Sequence, residues 1–269
     1  MTADNKALND EGRALWNQKA AFWDALHGDE GNRFHRELVS PAVERLLALR
    51  PGERVLDIAC GSGMLARRLA ALGARVTAVD FSEALIALAQ QRQAAAPIHY
   101  QVADATDEAA LVALGAGQYD AVVCTMALMD MPDIAPLCRA ARQLLASGGR
   151  FVVATAHPAF NSCNPIFSAE QADIDGELRV THAVKISQYL EVPPVKAVGA
   201  PNEPSAHYYY HRPLGALLGE IFAAGFVLNG LEEPAFSAQP GETPKALSWL
   251  SLPQIPPLLA ARFVVAAGG

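Results

Sequence analysis

At 269 residues with 51% hydrophobic content, the chain is long enough to bury one sizeable α/β core with elaborations. A formal net charge of −7 argues against nucleic acid as a partner, because that polyanion is normally met by a basic surface. Cys60, Cys124, Cys138 and Cys163 show no C-x-x-C spacing, the N-terminal residues lack a charged-then-apolar signal pattern, and no apolar run approaches bilayer length; the expectation is a soluble cytoplasmic protein with reduced thiols and no membrane partner.

In chain order, residues 5–27 place Trp16, Ala20, Trp23 and Leu26 near helical spacing, which predicts an amphipathic helix outside the core sheet. Gly28-Asp29-Glu30-Gly31 breaks it. A second helical pattern runs through Phe34, Leu38, Leu46 and Leu47, with Ser40-Pro41 reading either as a fresh N-cap plus first-turn proline or as a kink. Arg54 to Asp80 then divides into strand (Val55 to Ala59), glycine turn (Gly61-Ser62-Gly63), helix (Leu65, Leu69, Leu72, closed by Gly73) and a second strand that delivers Asp80 at its carboxyl end.

This is half of a nucleotide-binding βαβ unit. Gly61-x-Gly63-x-x-Ala66 with Asp80 at its distance also fits the dinucleotide fingerprint, but Asp57, inside the first strand and just before the glycines, has the wrong charge for phosphates and the right one for an ammonium. Leu56-Asp57-Ile58-Ala59-Cys60-Gly61-Ser62-Gly63 resembles the first motif of class I S-adenosylmethionine-dependent methyltransferases, with Ala59 where many members carry the first of three glycines. The resemblance implies a Rossmann-like seven-stranded, mostly parallel sheet with the last strand antiparallel and helices on both faces. It further implies that Asp57, Ala59 and the Gly61 and Gly63 backbone bind the methionine end of S-adenosylmethionine, and that Asp80 takes the ribose hydroxyls. N-terminal helices in this family lie over the cofactor, so Trp16, Phe22 and Trp23 would line the substrate pocket and Arg33 would pair with the cofactor carboxylate; the alternative is aromatics that only dock the helix and an arginine in solvent.

After Asp80, Ser82 is a good N-cap for a helix buried through Leu85, Ile86 and Ala89, and Phe81 would pack on the adenine in the family pattern or simply join the core. Ile98 to Ala103 is the next strand, closed by Asp104-Ala105, which resembles the motif that receives the adenine amine. Asp57, Asp80 and Asp104 thus close three successive strands, whose carboxyl ends line the ligand crevice of an open parallel sheet. Tyr119 to Thr125 is the fourth strand, with Thr125 assigned to the cofactor set. The Cys124-Thr125-Met126-Ala127-Leu128-Met129 that follows lacks the Asn/Asp-Pro-Pro-aromatic run of base and amide methyltransferases, so a small organic acceptor is expected. Cys124 reads as a packed thiol.

Ile134 to Ala146 is a predicted helix, Ser147-Gly148-Gly149 a turn, and Arg150 to Ala156 a strand ending in His157-Pro158. His157 stands at a strand end on the ligand side, where an imidazole titrating near neutrality can serve as general base; its replacement by alanine is expected to lower turnover far more than cofactor affinity. The alternative is a strand-end polar residue without proton transfer. Residues 158–206 exceed the minimal fold and contain six prolines and a hairpin around Asp175-Gly176, which reads as a substrate lid. Asp173-x-Asp175-Gly176 lacks the remaining ligands of a calcium loop, so no metal is assigned. His207-Tyr208-Tyr209-Tyr210-His211-Arg212-Pro213 offers a polar wall for an acceptor, with His207 and Tyr209 as further catalytic candidates, or else tyrosines packed with wet tips. A helix from Leu214 to Ala224 and strands at Phe226 to Leu231 and Ala261 to Ala267 complete the pattern.

The boundaries expected are an N-terminal helical cap (1–50), a cofactor-binding core (51–157), a lid (158–211) and the C-terminal part of the core fold (212–269). The function expected is methyl transfer from S-adenosylmethionine to a small organic acceptor at O, N or C. The alternatives are an NAD-dependent oxidoreductase, for which no Tyr-x-x-x-Lys dyad follows the fourth strand, and a non-catalytic S-adenosylmethionine-binding protein.

Overall fold

The computed structural model describes residues 3–92, 94, 97–161, 165–237 and 247–266; Cys163 and Ala267, the last residue of the expected final strand, lie outside them. Helix α1 (Ala3–His27) is followed by a π-helical turn (His35–Val39) that runs directly into α2 (Ser40–Leu47). Of the Ser40-Pro41 alternatives, the first-turn proline holds, Pro41 standing in the first turn of α2, but Ser40 is not its N-cap. Ser40 stays helical at φ −60° and ψ −46°, and no side chain caps α2. The proline ring cannot sit against a carbonyl four residues back, and the helix widens into a π turn immediately before it.

The core then alternates strand and helix: β1 (Arg54–Ile58), α3 (Met64–Ala71), β2 (Arg75–Asp80), α4 (Glu83–Gln91), β3 (Ile98–Val102), α5 (Glu108–Val112), β4 (Tyr119–Thr125), α6 (Ala135–Leu144) and β5 (Leu145–Ala156). Next come a hairpin of β6 (Ile166–Ile174) and β7 (Glu177–Lys185), a short pair of β8 (Val195–Ala197) and β9 (His207–Tyr209), then α7 (Leu214–Ala223), β10 (Phe226–Glu232) and β11 (Leu258–Val265). The main sheet has seven strands in the order β10-β11-β5-β4-β1-β2-β3, with β11 antiparallel to both neighbours and the other pairs parallel.

Alternation along the central strands sends side chains to opposite faces. Leu56 and Ile58 of β1 join Val122 and Cys124 of β4 in one core cluster, together with Leu137 and Leu144 of α6 and Ile221 of α7. Val55, Ala121 and Val123 join the other, with Leu46 and Leu47 of α2 and Leu65 and Leu69 of α3. Cys124 is fully buried and burial pushes its thiol well up, so it is the packed thiol expected from the sequence.

One expectation changes in detail and another is found as expected. The strand expected from Arg150 begins at Leu145, absorbing Ser147-Gly148-Gly149 as an irregular edge with Gly148 at φ +76°. At the hairpin, Asp175 and Gly176 both adopt positive φ, 56° and 80°, and Asp173 Oδ1 accepts from the Gly176 N–H at 2.9 Å, so these acids do turn chemistry. Among the described residues no helix is long and apolar enough to cross a membrane.

Candidate functional site

The carboxyl ends of β1 to β4 open into a cavity of about 130 Å³, which continues into a larger one of about 520 Å³ beneath α1 and the segment after β5. Trp16, Trp23, His27, His35, Met126 and Asp130 belong to the walls of both. Of the residues expected to hold a cofactor, Ala59, Gly61, Asp80, Phe81, Asp104, Ala105 and Thr125 line the smaller cavity. Gly61, at φ +57°, would direct a side chain into open space, whereas a side chain at Gly63 would run into the Tyr100 ring. Gly63 is therefore required by Tyr100 packing and is not itself a cavity wall.

Ala59 explains why glycine is frequent at its position, since it sits in the left-handed region at φ 58°. A non-glycine residue pays about 1 kcal/mol there. Ala59→Gly is therefore expected to raise stability by up to about 1 kcal/mol, the lost strain exceeding the added chain entropy. An increase in the urea midpoint at unchanged slope would check it; a fall would show that the methyl group packs usefully.

Asp80 is buried and fixed by two backbone donors, Gly61 N–H to Oδ2 and Ser82 N–H to Oδ1, both at 2.9 Å. Burial still pushes its carboxyl up to about 6. Asp104 departs from its expected role. Its Oδ2 accepts from Asn9 Nδ2 (2.7 Å) and Arg13 Nη2 (2.6 Å), and its Oδ1 from the Thr106 N–H (2.8 Å) and hydroxyl (2.7 Å). Four donors fill the acceptor capacity of a carboxylate. Asp104 thereby ties α1 across the crevice and has no lone pair left for an adenine amine.

Asp57 is not on the cavity wall. Strand parity places it on the Val55 side of β1, beneath α3, where it is 1% exposed and no side chain donates to either carboxylate oxygen, the Ala66 N–H of α3 being the one backbone group that favours its ionised form. Burial, and then the Asp80 carboxylate, push it up to about 8. A buried carboxyl without an ionic partner next to the glycine turn stays protonated alone and is drawn into its ionised form by a cation placed beside it. Arg33 does not answer it: its Nε donates to Glu37 at 2.6 Å, its guanidinium lies 5.8 Å from the Phe236 ring centre, and it lines neither cavity.

The catalytic candidates separate in the same way. His157 lines neither cavity. The Ala159 N–H donates to its Nδ1 (3.1 Å), so Nε2 carries the proton and donates to Glu233 Oε1 (2.7 Å), while the ring packs at a tilt against Phe160. With both nitrogens engaged and the ring off the walls, it caps the end of β5. The expectation of a turnover defect is accordingly replaced: His157→Ala should cost about 1–2 kcal/mol of stability through its lost hydrogen bonds and leave turnover within about twofold. Denaturant melts alongside initial rates would check this, and a tenfold rate loss at full folding would restore the base role.

His207 and Tyr209 do reach the larger cavity, their rings 4.4 Å apart. Behind them lies a network that sequence reasoning missed. Lys19, fully buried in α1, pairs with Glu203 Oε1 at 2.7 Å. The same carboxylate receives Trp23 Nε1–H (3.0 Å), the Gly199 N–H (2.6 Å) and His207 Nδ1 (3.1 Å). Asp130 faces His207 from the loop after β4, with Oδ1 buried and without a hydrogen-bond partner, and burial pushes its carboxyl well up. That loop is fastened by Arg212, which donates to the carbonyls of Leu128 (2.9 Å) and Met131 (2.7 Å), and by the Tyr210 N–H to the Met129 carbonyl (2.7 Å). The available signal for Asp130 was an acid among apolar residues after a fourth strand end, as with the other three acids. Nothing local marked Lys19 or Glu203.

A family described as a methyltransferase domain matches residues 56–153. The ubiquinone biosynthesis O-methyltransferase of Xanthomonas campestris pv. campestris (strain B100) is 34% identical over 139 residues, 50% of this chain and 55% of that protein. Its counterpart in Xanthomonas axonopodis pv. citri (strain 306) is 38% identical over 142 residues, with the same shares. The chain thus spans about half the length of the curated relatives it matches. An S-adenosylmethionine-dependent methyltransferase from Mesorhizobium loti superposes with a TM-score of 0.63 at 24% identity, over 83% of this chain and 95% of that one. The structure of DhpI with S-adenosylhomocysteine gives 0.57 at 19% identity, over 97% and 98%. These likenesses show the fold.

Proposed function

We propose that this chain, whose residues 56–153 are a methyltransferase domain within a class I methyltransferase fold, transfers a methyl group from S-adenosylmethionine to a small organic acceptor, with oxygen as the acceptor atom. The observation that carries this reading is the pairing of two connected cavities. One is lined by Gly61 and Asp80 with the unpaired Asp57 beneath it, and the other is walled by Trp16, Trp23, Phe34, Tyr209 and Trp249.

The residues fit the cofactor. Asp80, held rigid by two backbone N–H groups, keeps acceptor capacity for ribose hydroxyls, Gly61 lets a ligand approach the backbone, and Asp57, beneath the glycine turn, is a carboxyl that the amino group of the methionine end would draw into its ionised form. Bound there, S-adenosylmethionine supplies an electrophilic methyl group. The chain's own part is to hold an acceptor in line behind that methyl and exclude water. The N-terminal cap contributes Trp16, Trp23 and His27 to both cavities, and residues 158–211, read as a lid, contribute Pro158, Asn161, Val195 and Gly199 to the larger one. Aromatic walls suit a flat acceptor, and the O-methyltransferase name of the relatives favours oxygen.

Incubation with radiolabelled S-adenosylmethionine and a metabolite extract, followed by identification of the labelled product, tests the reading. Calorimetry showing heat with a pyrophosphate coenzyme and none with S-adenosylmethionine or S-adenosylhomocysteine would overturn it.

A further inference from the structure

The Glu203 network fixes the protonation of His207. Glu203 is met by donors on every side: the Lys19 ammonium, the Trp23 indole N–H and the Gly199 N–H. Burial alone would raise its carboxyl, but those donors outweigh burial and hold it below the usual carboxylate range. A carboxylate so placed can only accept, so the fourth contact, His207 Nδ1 at 3.1 Å, must be an N–H donor. Burial, and next the Lys19 charge, pull the imidazole down to about 4, which leaves it neutral near pH 7. A neutral imidazole protonated on Nδ1 has a bare lone pair on Nε2.

That lone pair is on the side of the ring facing Asp130. Nε2 lies 3.6 Å from Asp130 Oδ1, too far for a direct hydrogen bond, and Oδ1 has no other partner. Asp130 lines both cavities and His207 the larger one. The charged and titratable groups around this gap are Lys19 from α1, Glu203 from the loop before β9, Asp80 from β2, and Tyr209 beside His207.

Resting on the methyl-transfer reading above, we propose that His207, oriented by Glu203, is the base that receives the proton of the acceptor, that the Glu203 carboxylate steadies the imidazolium so formed, and that the acceptor class is therefore a hydroxyl and not a carboxylate. In the step, the acceptor O–H bond breaks and its proton passes to Nε2. The oxygen electron pair forms the new O–C bond to the methyl group, and the C–S electron pair stays on sulfur. Atoms and charge balance without any further reactant: the sulfonium charge is exchanged for that of the imidazolium, which is facing two carboxyl groups. A carboxylate acceptor brings no proton and meets like charge at Glu203. Glu203 acts through His207 and is a positioning residue; Lys19 keeps Glu203 ionised.

Nitrogen-15 NMR of the histidine rings in the unliganded protein tests the assignment, with His207→Gln identifying the signal. The expected result at pH 7 is a neutral ring protonated on Nδ1 with Nε2 bare. In Glu203→Gln, whose amide no longer imposes an acceptor, the Nδ1-protonated fraction should fall severalfold. Catechol in excess should move the Nε2 signal toward the protonated position, and benzoate should not. A wild-type ring protonated on Nε2, or doubly protonated, would overturn the proposal, as would a response to benzoate alone or to neither probe. Calorimetry with S-adenosylmethionine keeps the two readings apart. Absence of binding to wild-type protein would defeat the cofactor reading while the ring tautomer stood on its own.

Discussion

Asp57→Asn should give a protein that is more heat-stable than the wild type above pH 8 yet binds S-adenosylmethionine at least tenfold more weakly. The stability half follows from linkage. The folded chain keeps the Asp57 proton up to about pH 8, because burial and the Asp80 charge disfavour the anion, while the unfolded chain releases it near pH 4. Between those values the folded state binds more protons, so its stability falls as pH rises through the window and is fully present only below about pH 4. Asparagine has the shape of the protonated acid and no proton to lose. The two proteins should melt together near pH 4 and diverge by up to a few kcal/mol by pH 8, since each tenfold difference in proton affinity between the folded and unfolded chains is worth about 1.4 kcal/mol.

The binding half follows from the same unpaired charge. A cation placed against the glycine turn stabilises the Asp57 anion, so wild-type affinity should increase from pH 6 to pH 8 while that of the variant stays level. A tenfold loss corresponds to about 1.4 kcal/mol, modest for removing the counter-charge of a buried group. Calorimetric titrations of both proteins at three pH values would measure it. Equal affinities with parallel pH profiles would show that Asp57 serves only the packing beneath α3.

Asp57 also marks the limit of what sequence could show. The βαβ unit from Arg54 to Asp80 was legible because its signals are local: an apolar run, glycines at a turn, leucines at helical spacing and an acid at a strand end. The same holds for the Asp175-Gly176 hairpin and the Ser82 cap. Strand periodicity alone would have set Asp57 on the side of Val55, but only the folded sheet shows that this side lies under α3 and not on the cavity. His157 likewise occupies a strand end as expected, yet its direction is set by Glu233, 76 residues away. Two of the four donors that saturate Asp104 come from 91 and 95 residues earlier, and Lys19 and Glu203 are 184 residues apart. No periodicity carries such pairings. They arise because α1 is laid across the strand ends and buries its polar residues against them.

Lys19→Met should be the most destabilising single change at the site, costing about 3–5 kcal/mol, and the double variant Lys19→Met with Glu203→Gln should recover more than half of that loss. Both side chains of this pair are fully buried. Burial pulls the Lys19 ammonium below its usual value, with Glu203 opposing, so the ion pair persists only as a pair. Removing one partner leaves an uncompensated charge in the interior, whereas removing both charges leaves a packing problem alone. Methionine keeps the length of the lysine stem and its contact with Trp16, over whose ring the ammonium sits at 4.1 Å. A double-mutant cycle in urea separates the pairwise part from the packing part. A cost below about 1 kcal/mol for Lys19→Met would mean that Glu203 finds another cation or water. His207 is the cation at hand, and its signal in the variant should then be doubly protonated at pH 7. That outcome would convert the proposed base into a resident acid, so the fold's most expensive buried charge and the chemistry at the acceptor cavity are one commitment made by α1.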